Sequence, residues 1–405
     1  MDCIPLPHAA PTPGLEGPLV PFDVQSPEGV KGSIALYDLP LMRIPHAALA
    51  ALATWQYDPE ATFADTTQVL PFGREFQAVM EPAIEAGAAA FVGTLTDYPS
   101  DSRDYYVPYD GIARPIPGVW VSGSDGARLR QMLADGPVRV HLTVESVREP
   151  VTTYSIVGEL PGADDELVII GSHHDGPWSS AVEDGSGIAL VLAQAEYWSQ
   201  VPQEERPHRL LFVLNSGHMV GGIGTRTFIK SHGAELERTV LELHLEHAAS
   251  ECAEEDGQLK QTGHPEARWW FTSLIAGLEA AVRSAIEAEG LGRSLILPPT
   301  AFGPRPPTDG GDFHLAGVPI VNFLTAPFYL FDSQDTMDKI HRPSLVPVTR
   351  AAVRIIASTA GKTAAGMRAA ARAQVPSTLY EQTARAYGIT AVDPPALPPN
   401  QRGEA

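Results

Sequence analysis

Cysteine is nearly absent: Cys3 and Cys252 are the only two in 405 residues. Two thiols cannot build a disulfide framework or a cysteine-based zinc site. Basic residues are also scarce. Lys and Arg number 28 against 49 Asp and Glu, a net charge of −21. A chain this acidic is repelled by phosphate backbones and anionic lipid, which argues against nucleic-acid and membrane partners; the plain reading of the charge is solubility. No apolar run reaches the ~18 residues of a membrane span. Residues 1–19 are rich in proline and contain no Lys or Arg, the wrong make-up for a secretory signal, so a cytoplasmic location is the expectation. What the chain does have is apolar residues, 44% against 19% charged, enough to bury a sizeable core in a chain long enough for two domains.

Residues 1–18 are taken as a leader segment. From 19 to 149 a small α+β accessory domain is expected, with strands at 32–37, 88–93, 116–121 and 138–144 and helical stretches at 80–90 and 127–134. From 150 to 367 strands and helices alternate, as in an α/β fold built on a doubly wound mixed sheet with helices on both faces. Leu167-Val168-Ile169-Ile170-Gly171 is an unbroken apolar run, the mark of a central parallel strand. Further strands are expected at 209–214, 240–245 and 318–323, and helices at 187–198, 224–232, 270–288 and 344–361. Residues 368–405 read as a tail that begins as Ala- and Arg-rich helix and ends in the extended run at 394–399.

The chemistry concentrates where strands end. The 167–171 run leads into Ser172-His173-His174-Asp175, the 209–214 strand into Gly217-His218-Met219, and the 240–245 strand into Glu246-His247. The 318–323 strand is followed by Asp332, Asp335 and Thr336. Open α/β sheets bind ligands beyond the carboxyl ends of their strands, so these ends favour one shared site. Asp184, in Glu183-Asp184-Gly185-Ser186-Gly187, opens a helix. It could be a simple cap. As a metal carboxylate it would join His173 and Glu246, and one imidazole with two carboxylates and an open fourth position describes a catalytic zinc. Asp175 would then hold the other nitrogen of His173. His174, His244 and His247 read mainly as packing or supporting groups, with His247 on the opposite strand face from Glu246.

The stretch VIIGSHHDGPWSSAVEDGSGIALVLAQAEYW, at 168–198, resembles the zinc aminopeptidase family that includes aminopeptidase Y, glutamate carboxypeptidase II, the transferrin receptor and the glutaminyl cyclases. RLLFVLNSGHMVGGIGTRTFI, LHLEHAA and TDGGDFHLAGVPIVNF…FDSQDTMDKI continue the likeness, and the first zone looks like the protease-associated domain of many members. The resemblance implies that His173 binds a first zinc, Asp184 bridges two, Glu246 stands for the usual Asp, and Asp175 orients His173. It also exposes departures. The family's general-base Glu falls on His218, the next Glu, a ligand of the second zinc, on Met219, and the last His ligand on Phe331. A thioether is a poor substitute for carboxylate on zinc.

The expectation is a metal-dependent hydrolase of an amide bond in a peptide or peptide-like substrate. One zinc is assigned to His173, Asp184 and Glu246, and a second is left open, with His218 and Asp332 as its candidate ligands. His218 is the candidate base, since a neutral imidazole is the commonest one near pH 7. Trp178 would wall the pocket; Arg305 would bind a carboxylate or simply be a solvated loop residue. Two alternatives stand beside this: a catalytically silent scaffold or receptor of the same fold, and a glutaminyl-cyclase-like acyl transferase. A homo-oligomer is compatible with everything above. Members with a protease-associated insert usually carry helices before it, whereas this chain begins almost at the insert; a truncated start would undo the expected location.

Overall fold

A computed structural model describes residues 1–73 and 78–388. Two large sheets organise the chain. The larger has eight strands in the order Ile156–Leu160, Arg209–Asn215, Leu167–His173, Thr239–Leu245, Ile320–Leu324, Arg268–Thr272, Ser294–Leu297 and Trp55–Tyr57. The strands 209–215, 167–173, 239–245 and 320–324 run parallel, so their carboxyl ends share one edge. The 156–160 and 268–272 strands pair antiparallel to their neighbours, which makes the sheet mixed. Alternation sorts its residues to two faces. Val168 and Ile170 pack in a core with Leu190, Trp198, Val282 and Ile355, under the helices Gly187–Gln200, Ala276–Ala288 and Arg342–Ala357. Leu167 and Ile169 pack in the opposite core with Phe228 and Phe313, from the helices Ile223–Ser231 and Gly310–Leu315.

The smaller sheet has six strands in the order Ile4–Pro5, Gly118–Val121, Ala90–Thr96, Ile34–Pro40, Thr12–Pro21 and Arg139–Val144. The helix Gly123–Asp135 accompanies it and starts at Ser122, whose hydroxyl accepts from the Asp125 amide at 3.2 Å.

Four expectations change. Residues 1–18, expected as a leader segment, carry the strand Ile4–Pro5 and most of Thr12–Pro21 and bury Leu6 and Ala9. The accessory boundaries are crossed too. The 55–57 strand joins the edge of the larger sheet, and Leu49, Phe63 and Leu70 pack there against Trp269 and Phe271. The helix expected from 270 starts at Ala276, because Trp269-Trp270-Phe271-Thr272 suits a pleated, buried strand. The tail expected from 368 is helical to Tyr387 and docks through the buried Ala371, Val375, Tyr380 and Ala384. The proline run at 394–399 lies outside the described residues. Among the described residues no helix is long and apolar enough to cross a membrane.

Candidate active site

The parallel strands deliver their polar ends to one point. His173 is the last residue of its strand. His218 follows the 209–215 strand, on a turn opened by Gly217 at φ +78°. Glu246 and His247 follow the 239–245 strand, and His247 takes φ +41°. Glu183 stands in the buried, non-helical turn before the 187–200 helix.

The tautomers of two imidazoles are fixed. His173 Nδ1 lies 2.9 Å from the Asp175 carbonyl oxygen, and His247 Nδ1 lies 2.9 Å from that of Thr325. A carbonyl only accepts, so each Nδ1 carries the hydrogen and, in the neutral ring, each Nε2 presents a lone pair. Both lone pairs face Glu183: His173 Nε2 is 3.4 Å from Oε1 and His247 Nε2 is 2.5 Å from Oε2. Such an arrangement is repulsive unless a cation sits within it. The same buried atoms, His173 Nε2, both Glu183 oxygens and His247 Nε2, have no hydrogen-bond partner, nor does Glu246 Oε1. Among the described residues His173, Glu183 and His247 form one group of metal donors, and His173, His218 and Glu246 form another. Imidazoles that donate their far N–H to a backbone carbonyl are the usual metal-binding arrangement. The residues therefore fit a metal ion.

Electrostatics agree. Burial opposes charge on His247, but Glu183, Glu246 and Asp184 outweigh it and raise the imidazole to about 9. Burial and His218 likewise oppose charge on His173, and Asp184 with Glu183 raise it to about 9. Despite its own burial, Glu183 is held well below the usual carboxylate range by His247 and His173. Without a metal, protons occupy the place of the cation.

Neighbouring groups hold the donors. The Asp335 carboxylate accepts from the amides of Val182 and Glu183, at 2.8 and 2.9 Å. Glu242 accepts from His244 Nδ1 at 2.9 Å and from the Asn322 amide at 3.1 Å; His244 Nε2 is 2.9 Å from Glu246 Oε1, off the line of a hydrogen bond. His218 stacks on His173, with ring centroids 4.0 Å apart. Its Nδ1 is 3.0 Å from Asp309 Oδ1 and its Nε2 is 3.7 Å from Glu183 Oε1. Thr225 Oγ1 fixes Asp309 with a 2.8 Å bond. Burial opposes charge on His218, and Asp309, Glu183 and Glu246 overcome it, raising the ring to about 10. A cavity of about 190 Å³ opens beside it, lined by Tyr109, His218, Arg305, Asp309 and Asp312.

The structure brings His173, His218 and Glu246 together. Asp184 keeps Oδ2 3.9 Å from His173 Nε2, but its carboxylate is engaged elsewhere: it accepts from Ser172 Oγ, from Gly187 N at 3.3 Å and from His247 N at 3.2 Å. Its neighbour Glu183 faces the imidazoles instead. Asp175 orients His173 with its carbonyl, while its carboxylate accepts from the amides of His218 and Met219, at 3.2 and 2.9 Å. Asp332 accepts from the Tyr98 hydroxyl at 3.0 Å and from Gln334 N at 2.9 Å, and belongs to no group of metal donors among the described residues. Met219 and Phe331 are buried in an apolar cluster with Val182 and Phe328. Trp178 is part-exposed and donates from Nε1 to the Phe331 carbonyl at 3.2 Å. Arg305 is not merely solvated: it lines the cavity and pairs with Asp312 at 2.6 Å. Sequence reasoning missed Glu183, His247 and Asp309. The adjacent acids at 183 and 184 were a signal for the first; nothing local marked Asp309.

Fold and site together define an α/β domain with a cluster of metal donors at the carboxyl edge of its sheet. The model of peptidase family M28 matches residues 155–356. A probable leucine aminopeptidase 2 of Aspergillus oryzae is 31% identical over 171 residues, 40% of this chain and 31% of that protein. The like-named Aspergillus fumigatus protein is 38% identical over 92 residues, 21% of this chain and 18% of its own. The match thus spans a third or less of these curated relatives. Among solved structures, a peptidase M28 precursor from Shewanella amazonensis superposes with a TM-score of 0.65 at 22% identity, over 88% of this chain and 76% of that one. BSAP, a zinc aminopeptidase from Bacillus subtilis, gives 0.57 at 18% identity, over 89% and 79%. These two likenesses show the fold.

Proposed function

We propose that the chain hydrolyses amide bonds of peptides or peptide-like substrates, in the manner of an aminopeptidase, and that it does so with one zinc ion. Its ligands are His173, Glu183 and His247, with Glu246 alongside. The reading rests on one observation: two imidazoles with fixed tautomers aim lone pairs at one carboxylate, and none of these atoms has another partner. The positions that the resemblance gives to ligands of a second zinc hold Met219 and Phe331, which pack in an apolar cluster and do not suit zinc, and this supports a single ion. Zinc bound among these donors would lower the pKa of a water and polarise the scissile carbonyl. His218 is the base. Asp309 stands at its Nδ1, and its Nε2 faces Glu183 Oε1 at 3.7 Å, beside the metal donors, where the neutral ring would take a proton and return it to the leaving amine.

Metal analysis and a panel of amino-acid amides test the proposal. The expected result is one zinc per chain and hydrolysis that chelation abolishes and zinc restores. His218→Ala should keep the metal and lower kcat by roughly 10²–10⁴; loss of zinc from that variant would make His218 a ligand. Two zinc ions per chain would refute the single-metal site. A loaded protein inert toward every amide would favour the scaffold.

A further inference from the structure

A second polar cavity, of about 180 Å³, opens where the turn after the 55–57 strand meets residues 264–265 and the start of the helix Arg342–Ala357. It shares no residue with the two groups of metal donors. Two arginines line it, Arg268 and Arg293, and both are buried, at 5% and 3% exposure. Two bonds locate the Arg268 guanidinium at this wall. Nη1 donates to the carbonyl of Gly292, a lining residue. Nη2 donates at 2.6 Å to Ser344 Oγ, which bonds in turn to Nδ1 of His341, another lining residue. Both partners are neutral, and among the described residues no carboxylate pairs with this guanidinium. Arg293 Nη2 pairs with Glu251 at 2.6 Å, but its buried Nε has no hydrogen-bond partner. A charge taken out of water costs free energy unless it is paired.

The surroundings are positive. Burial and Arg293 lower Arg268 to about 10, and burial, Arg268 and His264 push His341 down to about 4. The 342–357 helix begins one residue after His341 with no acid in its first turn, so its positive end adds to the field. Of the acids that line the cavity, Asp58 accepts from Thr62 Oγ1 and Phe63 N in its own turn, at 3.2 and 3.4 Å, and Glu60 is exposed. We propose that this cavity is an oxyanion site that takes a phosphate group, held by Arg268 and Arg293 with His341 and His264 around it. Guanidinium forks match phosphate oxygens, and a tetrahedral dianion can face cations on several sides, where a planar carboxylate offers one edge. The volume lies below the ~300–1,000 Å³ of pockets for larger ligands, which suits an inorganic ion or a single phosphate head.

Inorganic phosphate is titrated calorimetrically into the zinc-loaded full chain and into its Arg268→Gln and His264→Glu variants. The wild type should bind phosphate with a Kd of about 1 mM or tighter. Arg268→Gln should weaken that site at least about tenfold. His264 is exposed, so His264→Glu changes only the charge at the cavity and should weaken binding about threefold. Phosphate held by the zinc instead would bind Arg268→Gln as well as it binds the wild type, and that equality overturns the proposal. So does a wild type with no saturable binding, or one that takes succinate more tightly than phosphate. Should Arg268→Gln fail to fold, His264→Glu decides alone: weakened affinity supports the site and wild-type affinity overturns it.

Discussion

Glu183→Gln and Asp184→Asn test two adjacent acids that the structure assigns to different work. A ligand that binds only the folded state stabilises it by RT ln(1 + [L]/Kd), about 2.7 kcal/mol at a free zinc concentration of about 100 Kd. For a unit of about the size of the matched segment, 155–356, each kcal/mol moves Tm by about 2–4 °C. Zinc loading should therefore raise the melt of the wild type by about 5–11 °C. In Glu183→Gln the charge between the two imidazoles is gone, and with it both the metal carboxylate and, in the metal-free protein, the partner of the protonated rings. The loading shift should nearly vanish, and below pH 9 the chelated melt should fall as well. Asp184→Asn should differ in the zinc shift. Its carboxylate serves Ser172, Gly187 and His247, and weakening these charge-assisted bonds costs about 1–3 kcal/mol. Both melts should fall while the zinc shift survives. Calorimetric scans of chelated and loaded protein at one pH measure all of these quantities. A full zinc shift in Glu183→Gln, together with a lost shift in Asp184→Asn, would refute the assignment.

Two further outcomes concern pH. In the metal-free protein His173 and His247 are raised to about 9, so the stability they contribute is fully present below pH 6.5 and is lost as pH rises through 9. Melts of chelated protein should decline over that window and those of loaded protein should not; a flat chelated profile would count against the buried imidazole–carboxylate pairing. Glu266, buried and close to Glu251, is raised to about 7 from 4.5, which makes it a penalty that grows as pH rises from 4.5 through 7. Glu266→Gln keeps an acceptor for Ala267 N and should stabilise by about 1–3 kcal/mol above pH 7, with no gain at pH 4.5, as paired melts would show.

Apolar runs that pass straight into polar residues were legible without a structure, because a strand buried on both faces admits nothing else. That marked His173, His218 and Glu246. Legibility stopped where the backbone leaves a regular period. Glu183 and Asp184 lie in a turn with φ, ψ of −100°, 78° and −130°, 38°, so no helical count says which of them faces the metal donors. Strand alternation placed His247 on the far face, but the strand ends at Leu245 and the positive φ of His247 turns its ring back. Asp309 meets His218, and Tyr109 stacks on it, through contacts distant in sequence that leave no local pattern.

Gly111 lies so close to the Val220 carbonyl, and Gly221 to that of Asp110, that a Cβ on either would stand 2.8 or 2.6 Å from the oxygen, and this close approach bears on how the chain can be divided. A fragment trimmed to begin at residue 150 would retain every metal donor named above. It would lack the Tyr109 wall of the cavity, and with it the 55–57 edge strand and the layer of Leu49, Phe63 and Leu70 over Trp269 and Phe271. Stripped of that cover, the aromatic face becomes a sticky surface prone to self-association. The cavity beside the metal donors and the edge of the larger sheet thus draw on residues from both sides of position 150.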